Sequence, residues 1–120
     1  MSSVKSYREL TVWQKSMRLA KAIYDCTRPW PKEETYGLQI RRAAVSIPTN
    51  IAEGQARRGT GEFIQFLGIA RGSLAELETL LLLSRDFGYV TPDTVESLLN
   101  DCAEIGRLLN GLLRSLSPNH

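Results

Sequence analysis

The interior proline of YGLQIRRAAVSIPTNIAEG, residues 36–54, limits what this chain can fold into more than any other feature. Around Pro48 the apolar residues Ile40, Ala44, Ile47 and Ile51 recur at three- and four-residue steps, the spacing of one helix face. Proline has no N–H to donate, and its ring crowds the carbonyl one turn back, near Ala44. The cost in a helix interior is about 3 kcal/mol, usually with a bend. The segment therefore predicts a kinked helix that gains something from the bend or from the freed carbonyl.

Turn chemistry divides the rest into three more helices. The first spans 11–27 and must stop at Arg28-Pro29-Trp30-Pro31. Trp13, Met17, Ala20 and Tyr24 are expected to form its inner stripe, widened by Val12, Leu19 and Ile23, with Lys15, Arg18 and Lys21 opposite. The kinked helix spans 33–57, with Glu33 and Glu34 at the positive end of its dipole and Arg57 and Arg58 at the negative end. Thr60 is the expected cap of a third helix over 61–87, which Gly88 ends in the usual C′ position. Its core stripe is Phe63, Phe66, Ala70, Leu74, Leu77 and Leu81. Gly68, Gly72 and Ala75 leave a shallow side where another helix can approach. Leu80 to Leu83 are apolar right round one turn, which points to a further protein contact. Thr91-Pro92-Asp93 opens the fourth helix, 92–116. Its apolar residues run from Val95 through Leu98, Cys102, Ile105 and Leu109 to Leu116.

Four helices with short loops predict an all-α fold: an up-down-up-down, left-handed four-helix bundle with a Pro-kinked second helix. Residues 1–10 are an N-terminal extension, 11–116 the bundle and 117–120 a tail. The chain's 120 residues suit one domain able to bury a core without metal or disulfide. Cys26 and Cys102 lack C-x-x-C spacing and are expected to be small buried hydrophobes. No apolar run approaches the roughly 20 residues that span a bilayer. MSSVKSYREL lacks a signal peptide's apolar stretch, so the expected address is cytoplasmic.

Charge is unevenly spread. Residues 1–60 hold eleven Lys/Arg against five Asp/Glu, a local +6. Residues 61–120 hold four against eight, a local −4, within a net +2. Such a chain has a basic half able to face phosphates, or two surfaces able to attract each other between copies.

Arg41 and Arg42 suit bidentate phosphate contacts, or ion pairs inside the bundle or between subunits. Glu76 shares a helix flank with Ile69, Leu80 and Leu83, and there needs a cation such as Arg41 or Arg42. Arg57 and Arg58, with Lys15, Arg18 and Lys21, form the better exposed basic candidate, although helix-end arginines also simply favour the dipole. No aromatic interleaving supports base stacking, so binding there would be electrostatic and sequence-tolerant. Ser46, Asn50 and Glu53 cluster like a site, but Ser46 and Asn50 suit carbonyls released around Pro48 equally well. Trp13 and Trp30 read as core and loop anchors.

Enzyme chemistry fares poorly. The one histidine, His120, lies in the tail, which removes Ser-His-Asp and Cys-His triads and the Glu-x-x-His pairs of bundle di-metal sites. Glu76 and Glu78 point to different helix faces, and Gly59-Thr60-Gly61 is too short for a phosphate loop. No cofactor, metal or small-molecule substrate is expected.

SIPTNIAEG after QIRRAA, with YGL before it, YRELTVWQKS at the start and GSLAELET on the next helix, closely resembles the bacterial four-helix-bundle family. Its founding members are encoded in intervening sequences of 23S ribosomal RNA genes. That family is similar to the accessory variability determinant of diversity-generating retroelements, a basic pentameric bundle that binds nucleic acid. The resemblance implies a homopentamer, an RNA or DNA partner and no established active site. The expected function is a non-catalytic oligomeric bundle protein that binds structured RNA or DNA through its basic surface. The alternative is a protein–protein adaptor ring with no nucleic-acid role.

Overall fold

The computed structural model describes residues 6–31 and 35–117. A 3-10 turn, Tyr7–Glu9, leads into α1 (Thr11–Thr27), α2 (Thr35–Ala56), α3 (Thr60–Phe87) and α4 (Pro92–Leu116). Each helix packs on its neighbours in sequence and α4 closes against α1, giving the expected up-down-up-down four-helix bundle. It measures 46 × 24 × 19 Å.

The core is the set of residues that helical spacing places inward. Ile23 of α1, Ile40, Ile47 and Ile51 of α2, Leu67, Leu77 and Leu81 of α3, and Ile105 and Leu109 of α4 are all fully buried. Each such side chain stabilises the fold by about 2 kcal/mol relative to exposure. Ala43, Ala44 and Ala70 are buried as well, so α2 and α3 meet over small side chains.

The inner face of α1 is rotated from its expected position. Val12, Ser16, Leu19, Ile23 and Thr27 are buried, whereas Met17 and Tyr24 are exposed and Trp13 is half-buried. The two inward hydroxyls satisfy themselves on their own helix. Ser16 Oγ donates to the Trp13 carbonyl at 2.9 Å and Thr27 Oγ1 to the Ile23 carbonyl at 2.8 Å, so neither costs an unpaired polar group.

Helix ends follow their caps. Thr91 accepts from the Thr94 N–H at 3.2 Å with Pro92 at the first helical position, and Gly88 closes α3 at φ 80°. Thr60 does not cap α3. Gly59 takes the extended cap conformation, and Thr60 is already the first helical residue. Glu33, Glu34 and His120 lie outside the described residues.

At one end of the bundle Trp30 stacks on Tyr36 at 6.0 Å and meets Tyr89 at 5.0 Å, while Tyr36 meets Phe87 edge-on at 5.5 Å. These contacts fasten the turn after α1 to the turn after α3, as a loop anchor should. The Tyr36 hydroxyl also donates to the Leu80 carbonyl, and burial pushes its ionisation up.

Candidate functional site

The seven candidate cations divide into engaged and free. Arg41 has no acidic partner among the described residues: its Nε donates to Thr27 Oγ1 at 2.7 Å and a terminal nitrogen to the Thr27 carbonyl at 2.9 Å. Its guanidinium also lies over the Tyr24 ring at 5.0 Å. Arg41 thus caps the C-terminus of α1 from α2, where the last carbonyls lack helical partners and the dipole favours a cation. Lys15 ties α1 to α4 through Glu104 at 3.0 Å. Lys21 pairs with Asp25 at 3.1 Å, and hydrogen bonds from Arg28 and Lys21 hold the Asp25 carboxyl below its ordinary range. Arg57 pairs with Glu53 at 2.9 Å, reaches Glu62 at 4.0 Å, and covers Phe66.

Arg18, Arg42 and Arg58 are exposed and have no ion-pair partner among the described residues. Arg18 lines a shallow groove with Asp101 and Glu104, and Arg42 shares a groove of about 420 Å³ with Glu76. Arg58 stands beyond the end of α2 beside Thr60 and Phe63. Within one chain the free cations sit in three separate grooves, two of them next to carboxylates.

The polar cluster bonds within α2 and across to α3. Asn50 Nδ2 donates to the Ser46 carbonyl at 2.8 Å and to Ser46 Oγ at 2.9 Å, and Ser46 Oγ meets Ser73 Oγ across the α2–α3 seam at 2.7 Å. Thr49 Oγ1 bonds the Val45 carbonyl at 2.7 Å, a role the sequence reading missed although threonine in a helix commonly bonds back by four residues. Glu53 belongs instead to Arg57. Glu76 makes no ion pair among the described residues, so the expected intrachain pairing with Arg41 or Arg42 is absent. The reason is that its flank of α3 is surface: Glu76 is exposed, as are Ile69 and Leu83.

That exposed apolar surface is concentrated. A groove of about 720 Å³ runs between α1 and α2, walled by Trp13, Met17 and Tyr24 on one side and Val45, Pro48 and Ala52 on the other. Pro48 is the only one of these six whose residue surface is buried, so it lies at the groove's floor. On α3, Ile69 is 47% exposed and Leu83 38%, while a Cβ added at Gly68 or Gly72 would meet nothing. Leu80 and Leu81 are buried; Leu82 and Leu83 are not. Gly54 is the opposite case. A Cβ there would lie 2.6 Å from the Phe66 Cβ, so glycine is required where α2 and α3 approach.

Reactive groups are scarce. Burial pushes the Cys102 thiol up to about 12 and raises Cys26 as well, which disfavours the thiolate that nucleophilic and redox chemistry needs. No three His, Cys, Asp or Glu side chains among the described residues are placed to share a metal ion, and no described helix is long and apolar enough to cross a membrane.

Comparison with known proteins agrees with this architecture. The crystal structure of a protein of unknown function from the S23 ribosomal protein family of Bacteroides thetaiotaomicron superposes with a TM-score of 0.79. It is 33% identical in sequence, and the match covers 86% of this chain and 98% of that one. No curated protein matches. The family model for the 23S rRNA-intervening sequence protein matches residues 8–111, from the 3-10 turn to the last turns of α4. The chain belongs to the 23S rRNA-intervening sequence protein family.

Proposed function

We propose that this protein is a non-catalytic, cytoplasmic assembly module whose α1–α2 groove and outer α3 face are covered by sister copies. The observation that carries the reading is one-sidedness. Every large apolar side chain exposed among the described residues lies on α1, α2, α3 or the turn after α3, and none on α4. Scattered exposed hydrophobes need no explanation, whereas apolar side chains gathered along the α1–α2 groove and the outer side of α3, with none on α4, fit protein contacts. The opposite charges of the two sequence halves support attraction between unlike surfaces of successive copies. A ring of five is the assembly that the family resemblance implies. Light scattering tests the reading: the expected mass is several times the 13.4 kDa of one chain, and a single-chain mass would refute it.

A second reading, binding of RNA or DNA, draws on Arg18, Arg42 and Arg58, the candidate cations with neither an ion pair nor a side-chain hydrogen bond among the described residues. Assembly would have to gather these separated charges into one rim. Binding would then be electrostatic and lost steeply with salt. Filter binding at low salt should retain RNA or DNA on this reading; no retention leaves the ring as a protein adaptor.

A further inference from the structure

Resting on the assembly reading, we infer which surfaces meet: the outer ridge of α3 on one copy seats in the α1–α2 groove of the next, where Glu76 of the ridge pairs with Arg42 of the receiving copy. The two surfaces are unlike and complementary in shape. The groove is concave, with Pro48 at its floor. The ridge is convex: Ile69, Gly72, Glu76 and Leu83 follow at steps of three, four and seven, a single stripe along the helix. Gly72 faces open space at its centre, so the ridge backbone can come close to a receiving wall.

Charge fixes the register. Glu76 lies in the middle of this stripe, flanked by Gly72 and Thr79 with Ile69 and Leu83 beyond them, tolerable in water but costly once the ridge is covered unless a cation meets it. Lys21, the cation that lines the groove, already holds Asp25, and Arg18 of α1 turns to the α4 side beside Asp101 and Glu104. On α2, Arg41 holds the end of α1 and Arg57 holds Glu53, whereas Arg42 is exposed without an ion pair among the described residues. It precedes Val45 by three residues and Thr49 by seven, and so stands on the stripe that forms the α2 wall of the groove. Arg42 and Glu76 border one groove within a single chain yet do not pair there. Because groove and ridge differ, each chain offers one of each, the head-to-tail arrangement that closes into a ring.

The test is charge reversal read by light scattering, with melting as the check on folding. Glu76→Arg and Arg42→Glu should each weaken assembly about tenfold or more, as close interfacial charge pairs do, and the double reversal should restore it. Gly72→Leu, placed where a side chain meets nothing within its own chain, should block assembly while circular dichroism still shows a folded helical chain. Single reversals that leave the mass unchanged, or a double variant no better than either single, would overturn this interface while leaving the assembly reading standing. A wild-type protein that is already a single chain would overturn both.

Discussion

The outer side of α4 and the outer sides of α1 to α3 enclose the same core but end differently. On α4 the apolar residues fall on one face, and Val95, Leu98, Cys102, Ile105 and Leu109 are buried. Its remaining leucines are at least partly covered, and apart from Pro92 and Ala103 its exposed positions, such as Glu96, Asn100, Arg107 and Asn110, are polar. On α1 to α3, Met17, Tyr24, Leu38, Val45, Ile69 and Leu83 stay exposed although the core is complete. The difference teaches that the apolar residues of α1 to α3 exceed what the core of one chain can use. A helix that is finished within its chain has a polar back; these three do not.

Paired substitutions of covered and uncovered residues break or sharpen this contrast. Gly54→Ala should be the most damaging, costing about 3 kcal/mol, because its Cβ would collide with the base of Phe66 rather than a flexible tip. Urea unfolding measures it, and a loss well under 1 kcal/mol would mean that the α2–α3 seam is loose. Next is Arg41→Met, expected to cost about 2 kcal/mol through the lost cap on α1, against a near-zero effect of Arg42→Met on single-chain stability. Equal effects would erase the distinction between the adjacent arginines. Thr91→Ala should cost about 1 kcal/mol by removing the cap of α4. Gly72→Ala, measured in a single-chain background, should stabilise by about 0.5–1 kcal/mol, the helix propensity of alanine in open space.

The smallest effect at neutral pH belongs to Cys102. Its thiol titrates near 12 in the fold instead of the usual 9.0, so burial favours the protonated form. The associated stability is fully present below about 9 and is lost as pH rises toward 12. Thiol-reagent labelling should therefore leave Cys102 untouched until the chain unfolds; rapid labelling of the folded protein would contradict its burial.

Much of the fold was legible in the sequence because punctuation and spacing agreed. Pro29 and Pro31 stop α1, and Thr91-Pro92 starts α4 with the bounds that spacing predicts. The face of α1 misled because its largest side chains, Trp13, Met17 and Tyr24, are not its most buried. Ser16 and Thr27 hide on the true inner face by bonding to their own backbone. Thr60 misled because the cap needs an extended residue, and Gly59 adopts that conformation first. For the candidate site, the polar framing of Pro48 was readable, since Ser46 and Asn50 lie at helical reach of one another. The division between Arg41 and Arg42 was not: it depends on a contact from α2 back to Thr27, set by how two helices cross rather than by local pattern.

The central claim, that sister copies cover the face left apolar by α1 to α3, is tested most directly by sedimentation velocity of the wild-type protein beside Val45→Asp. Val45 is exposed on the groove wall, so a carboxylate there should leave the bundle folded and make coverage unfavourable. The account predicts a wild-type species of several chains and a folded variant of 13.4 kDa. A variant that remains assembled, or a wild-type protein that sediments as one chain, would contradict it.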